Sequence, residues 1–101
     1  MSSWAERIDW EVEAIIYVDF TLEGPNVANY SVVLTVMHDE RLQTVRVYDA
    51  AHQFNEMHRH TLTGGKQPGE QFHAGTLGEG MRAAIAEVRR GYREMIEGWR
   101  R

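Results

Sequence analysis

The chain has 101 residues, a net charge of −4, 43% apolar and 26% charged residues. This is ordinary globular usage for one domain, with core enough to fold without staples, and it excludes bulk disorder. The absence of cysteine excludes disulfides, thiolate metal sites and thiol catalysis.

Met1–Glu6 lacks the basic and apolar regions of a signal peptide, and no apolar run approaches the ~18 residues of a membrane helix. A cytoplasmic protein with no membrane contact is expected. The first strand is predicted over about 10–22, where Trp10, Val12, Ala14, Ile16, Val18, Phe20 and Leu22 alternate with mostly polar residues. Glu23-Gly24-Pro25-Asn26 breaks it. A second strand, about 30–38, is rich in β-branched residues and apolar on both faces, as a central strand should be. His38–Arg41 is a polar turn, and a third strand follows over about 42–49. Short connections make these strands antiparallel.

Residues 50–75 show no sustained period and are read as a His-rich loop. Loops of this length in compact domains are usually functional or disordered. Thr76-Leu77-Gly78-Glu79 then fits a capping box. A helix over 77–99 follows, with Leu77, Met81, Ile85, Val88, Tyr92, Met95/Ile96 and Trp99 forming one apolar stripe. Gly91 would permit close approach to the sheet. The fold predicted is α+β: a single domain, 1–101, with a three- to four-stranded antiparallel β-meander and the long C-terminal helix packed on one face. One helix leaves the other sheet face bare, with Ile15, Tyr17, Val33 and Met37 as its lining. Such a face usually implies a partner, and a homodimer is expected. A short helix around Trp4 and Ile8 would cover part of it.

Chemistry concentrates after the third strand. Four of the five histidines (His52, His58, His60 and His73) fall within 22 residues. Residues 1–50 hold nine acids and three bases, whereas residues 51–101 hold six acids and eight bases. An anionic ligand should therefore meet the second half. Two readings of the cluster follow. Histidines can act as general acid and base on an RNA phosphodiester near neutral pH. His58 and His60, helped by His52, would do so. Asp49 would orient a ring, and Arg59, Lys66 and Tyr48 would hold phosphate. Such a ribonuclease needs no metal. Alternatively His52, His58, His60 and His73 bind a divalent transition metal such as zinc, since the two histidines of an H-x-H pair on an extended segment face the same side. A bland reading also stands, in which the histidines only tie the loop down. Thr63-Gly64-Gly65-Lys66 lacks the P-loop frame and serves to present Lys66 on a turn.

Three antiparallel strands, Tyr48-Asp49 at the end of the third, His52 and the His58-Arg59-His60 motif, then a C-terminal helix, together resemble the TumE-type toxins of toxin–antitoxin systems. The resemblance implies a small toxin that halts growth through RNA and is neutralised by a cognate antitoxin. It assigns no catalytic residue here. A non-catalytic homodimeric module binding a metal or small ligand is the alternative.

Overall fold

The structure, a computed structural model, describes residues 1–101. Six strands run in chain order: β1 (Ser2–Asp9), β2 (Ala14–Glu23), β3 (Asn26–His38), β4 (Arg41–Asp49), β5 (Asn55–Thr61) and β6 (Gly65–His73). Each pairs antiparallel with the next, giving a six-stranded meander of order β1-β2-β3-β4-β5-β6. One helix, α1 (Leu77–Arg100), packs across it. The α+β class and the C-terminal helix are as the sequence predicts, but the sheet has six strands rather than three or four.

The differences have local causes. Trp10–Glu13 is a turn rather than the start of a strand: Glu13 has φ 53° and Trp10 is 76% exposed, with Arg7 over its ring. Asp9 makes this turn, its Oδ1 accepting from the amides of Glu11 and Val12 at 2.9 and 3.0 Å. Its Oδ2 accepts from Tyr92 Oη and from Arg93 at 2.8 Å, which ties the turn to α1. The segment around Trp4 and Ile8 is therefore strand β1, not a short helix. The expected loop 50–75 is largely the β5–β6 hairpin.

Alternation sorts side chains into two faces. One row crosses the helix side through Trp4, Val18, Val32, Tyr48, Met57 and Glu70. Ile16, Leu34 and Val36 join it in the core, against Met81, Val88, Ile96 and Trp99 of the predicted stripe and Ala84 beside them. Burying each large aliphatic side chain there contributes roughly 1.5–3 kcal/mol. The opposite face carries the row Ala5, Tyr17, Val33, Val47, His58, Gly69. No helix covers it, and Ile15, Tyr17, Val33 and Val47 are half-buried there.

The capping box forms as predicted: Thr76 Oγ1 accepts from the Glu79 amide at 3.2 Å and Glu79 Oε1 accepts from the Thr76 amide at 2.9 Å. Close approach between helix and sheet occurs at Gly80 rather than Gly91. A Cβ on Gly80 would lie 1.9 Å from Asn55 Oδ1, whereas at Gly91 it would meet only Met95 Cε at 3.5 Å. Asn55, 1% exposed, accepts from Tyr30 Oη at 2.8 Å. Its Nδ2 donates to the carbonyls of Gly75 (3.0 Å) and Thr76 (3.2 Å). At the far end, the Leu62 amide donates to the Trp99 carbonyl at 2.9 Å, so both ends of α1 are fastened to the β5–β6 hairpin.

Candidate active site on the open sheet face

β5 is polar in sequence yet central in position. Asn55 and Met57 point to the core, while Glu56 and His58 point to the open face, opposite Asp49 and Val47 of β4. His60 follows two residues after His58, where alternation returns to the same face, and it also borders the groove between β5–β6 and the end of α1. The ladder to β6 is irregular between His58 and His60: His58 pairs with Gly69 and His60 with Lys66. The extra residue lies on β6, where Gln67 and Pro68 stand opposite Arg59 alone. This kink turns the Gln67 carbonyl toward His58.

A carboxylate no sequence argument had singled out lies at the centre. Glu56 Oε1 is 2.8 Å from His52 Nδ1 and 3.4 Å from His58 Nε2, and Glu56 is buried. The hydrogen bond from His52, with the charge of His52 and the hydrogen bond and charge of His58, holds the Glu56 carboxyl below the usual carboxylate range against the opposing effect of burial. The available signal was its position four residues after His52 and two before His58.

Proton placement follows from the partners. A carbonyl only accepts, so His58 Nδ1, 2.9 Å from the Gln67 carbonyl, carries a proton. Its Nε2 lies 3.4 Å from a Glu56 carboxylate oxygen, so the ring sits between two acceptors. His52 donates from Nδ1 to Glu56, and its ring is exposed. Phe54 stacks beside it. Burial, reinforced by the nearby charges of Lys66 and His58, pushes His60 below the usual histidine value, so it is held as the free base. Gly69 makes the packing possible: a Cβ there would lie 2.5 Å from Glu56 Oε2 and 2.6 Å from His58 Cε1.

The structure thus brings His52, His58 and His60 to one face with Lys66 beside them. It does not bring the other candidates there. Asp49 shares the face, opposite Glu56, but its Oδ1 accepts from the Ala51 amide at 3.2 Å as an Asx turn, and the carboxylate that orients a histidine is Glu56. Arg59 leaves the helix side, opposite Arg46. Tyr48 is fully buried on that side and donates to Glu87 at 2.8 Å; burial pushes its hydroxyl up to about 12. Tyr48 cannot hold a phosphate at the histidines, and Arg59 shares a groove with His60 alone among them. His73 sits at the end of β6, where its Nδ1 accepts from the Gly75 amide at 3.0 Å. The four-histidine metal set therefore does not converge, and no three His, Asp or Glu side chains are arranged to hold a metal ion. No helix is long and apolar enough to cross a membrane.

No protein-family model, curated protein or solved structure matches this chain.

Proposed function

We propose that this chain is a toxin-like, metal-independent ribonuclease whose acid–base groups are His58 and His60. The observation that carries the reading is the pairing of two histidines in unlike environments on one uncovered face. His60 is kept neutral, and His58 is bracketed by the Gln67 carbonyl and the Glu56 carboxylate. Two histidines in such unlike surroundings are suited to opposite roles.

In this reading His60 takes the proton of a ribose 2′-hydroxyl. The oxygen attacks the adjacent phosphorus, and the bond from phosphorus to the 5′-oxygen breaks. His58 gives its proton to that leaving oxygen, and Lys66 offsets the charge that builds on the phosphoryl oxygens. The products are a 2′,3′-cyclic phosphate and a 5′-hydroxyl. Glu56 positions His58, and the exposed His52 on the same carboxylate oxygen gives that network a route to solvent protons. The partners implied are single-stranded RNA and a neutralising antitoxin protein.

The test is cleavage of a labelled single-stranded RNA by purified protein in the presence of a chelator, beside growth on induced expression. His58→Ala and His60→Ala, shown folded by circular dichroism, should each lose ~10²–10⁴-fold in rate. Equal cleavage by wild type and both variants, or none by any, would sink the ribonuclease reading.

A second reading is favoured by a separate observation. The same face carries the half-buried row Tyr17, Val33 and Val47 and the acids Asp19 and Asp49, a surface suited to a protein contact. In that case the chain is a non-catalytic module pairing with a second copy or binding a small ligand. Sedimentation showing a dimer, with no RNA cleavage, would select it.

A further inference from the structure

A second charged feature lies on the helix side, remote from Glu56 and His58. Arg46 of β4 and Arg59 of β5 are direct cross-strand partners. Like charges placed directly opposite across a ladder destabilise it, so the pair needs a compensating anion. The acids nearest in the surrounding groove are Glu70 and Glu94. Arg59 has only Glu70, at 3.6 Å, with both side chains more than half exposed, and such a pair is worth little. Arg46 Nε is buried and makes no hydrogen bond, the one buried side-chain polar atom in the molecule so placed. Buried polar groups left without a partner are uncommon and call for an account.

Both arginines line a groove of about 410 Å³ between β4–β6 and the last turns of α1. Met57, Met95 and Trp99 give it apolar walls, and Gln67 and Glu94 add polar groups. The volume falls within the roughly 300–1,000 Å³ of small-molecule sites, and apolar walls with a few polar groups are their usual make-up.

We propose that this groove binds a phosphate-bearing small molecule of nucleotide size, its phosphate lying between Arg46 and Arg59. Two guanidinium groups facing one another match a dianion with several acceptor oxygens, and Arg forks pair with phosphate bidentately. The apolar walls receive the rest of the molecule, and Gln67 and Glu94 offer an acceptor and donor set to a base edge. His60 also lines this groove, but the proposal rests on Arg46 and Arg59 and not on the ribonuclease reading.

Calorimetric titration with inorganic phosphate and with the four common nucleoside monophosphates tests it. One nucleotide should bind per chain, and phosphate alone more weakly at the same place. Arg59→Gln and Arg46→Met should each weaken nucleotide binding at least tenfold, while His52→Gln should leave it unchanged. Without ligand, Arg46→Met should melt at or above the wild-type temperature, because it removes one of two like charges paired across the ladder and a buried unpaired Nε. If Arg46→Met does not fold, Arg46→Lys keeps the charge but loses the fork, and should weaken binding by a similar factor. No saturation by any probe up to about 10 mM would overturn the proposal, as would binding that survives loss of both arginines. A carboxylate such as succinate binding as tightly as the nucleotides would overturn the choice of phosphate.

Discussion

Gly80 and Asn55 make the sharpest test of how α1 is seated. Alanine is a better helix former than glycine by about 1 kcal/mol in a helix interior, so Gly80→Ala on an open helix would stabilise. Here the new Cβ would fall 1.9 Å from Asn55 Oδ1 and 2.2 Å from its Cγ, so the Asn55 side chain must leave. Its departure strands the Tyr30 hydroxyl and the Gly75 carbonyl, while the Thr76 carbonyl keeps the Gly80 amide. Two buried groups left unpaired at about 1–3 kcal/mol each give a cost of about 3 kcal/mol. Set against the helix gain, the net loss is about 2 kcal/mol, a fall in Tm of roughly 8–16 °C for a domain this size. In an Asn55→Ala background the space is already empty, so the same Gly80→Ala change should stabilise by about 1 kcal/mol. Denaturant melts of the four proteins of this double-mutant cycle measure the coupling, expected near 3 kcal/mol. A Gly80→Ala protein more stable than wild type, or additive effects across the cycle, would refute the reasoning.

Four further outcomes are expected. Lys66→Gln removes a cation beside His60 and should raise the His60 pKa, read from its ring protons by NMR across pH. The hydrogen bond from Tyr92, joined by the Val12 and Glu11 amides and the Arg93 charge, holds the Asp9 carboxyl below its ordinary value. Its contribution is present above the ordinary carboxylate value and lost as pH falls through the folded value, so Asp9→Asn should flatten the acid limb of stability against pH. Tyr48, pushed up to about 12, makes the fold lose stability as pH rises from the unfolded value of about 10 toward 12. Tyr48→Phe should make that alkaline limb shallower in urea melts. Thr76→Ala removes the helix cap and should cost about 1 kcal/mol, read as a drop in Tm.

What the sequence made legible followed from periodicity. β2, β3 and β4 alternate through Ile16, Val18, Val32, Leu34 and Val45, and α1 carries a clear stripe and cap. β1, β5 and β6 did not announce themselves. Trp4 and Ile8 are four apart, a spacing that suits either a helix face or one side of a strand. β5 reads Asn-Glu-Met-His-Arg-His-Thr, with Met57 its one apolar residue, and is held by ladders on both sides and by buried polar groups. β6 contains Gly69 and Pro68, which argue against a strand, but it lies at the sheet edge, where Pro is tolerated. The site was half legible for the same reason. Histidine clustering pointed to His52, His58 and His60, while the faces of Arg59 and Tyr48 could be known only once β5 was recognised as a strand paired to β4. Glu56 stayed hidden because a glutamate in a supposed loop reads as solvated.

The order of the elements also shapes how the chain comes into being. Every strand pairs with its neighbour in sequence, so each hairpin can close as soon as it is made, with little loop entropy to overcome. The helix that covers the apolar face is made last. At roughly 5–20 residues per second, its 24 residues take about one to five seconds to emerge. During that interval a nascent sheet shows Ile16, Val32, Leu34 and Val36 to the surrounding solution. Chaperone capture, or aggregation when expression outpaces it, should therefore be governed by the C-terminal quarter of the chain.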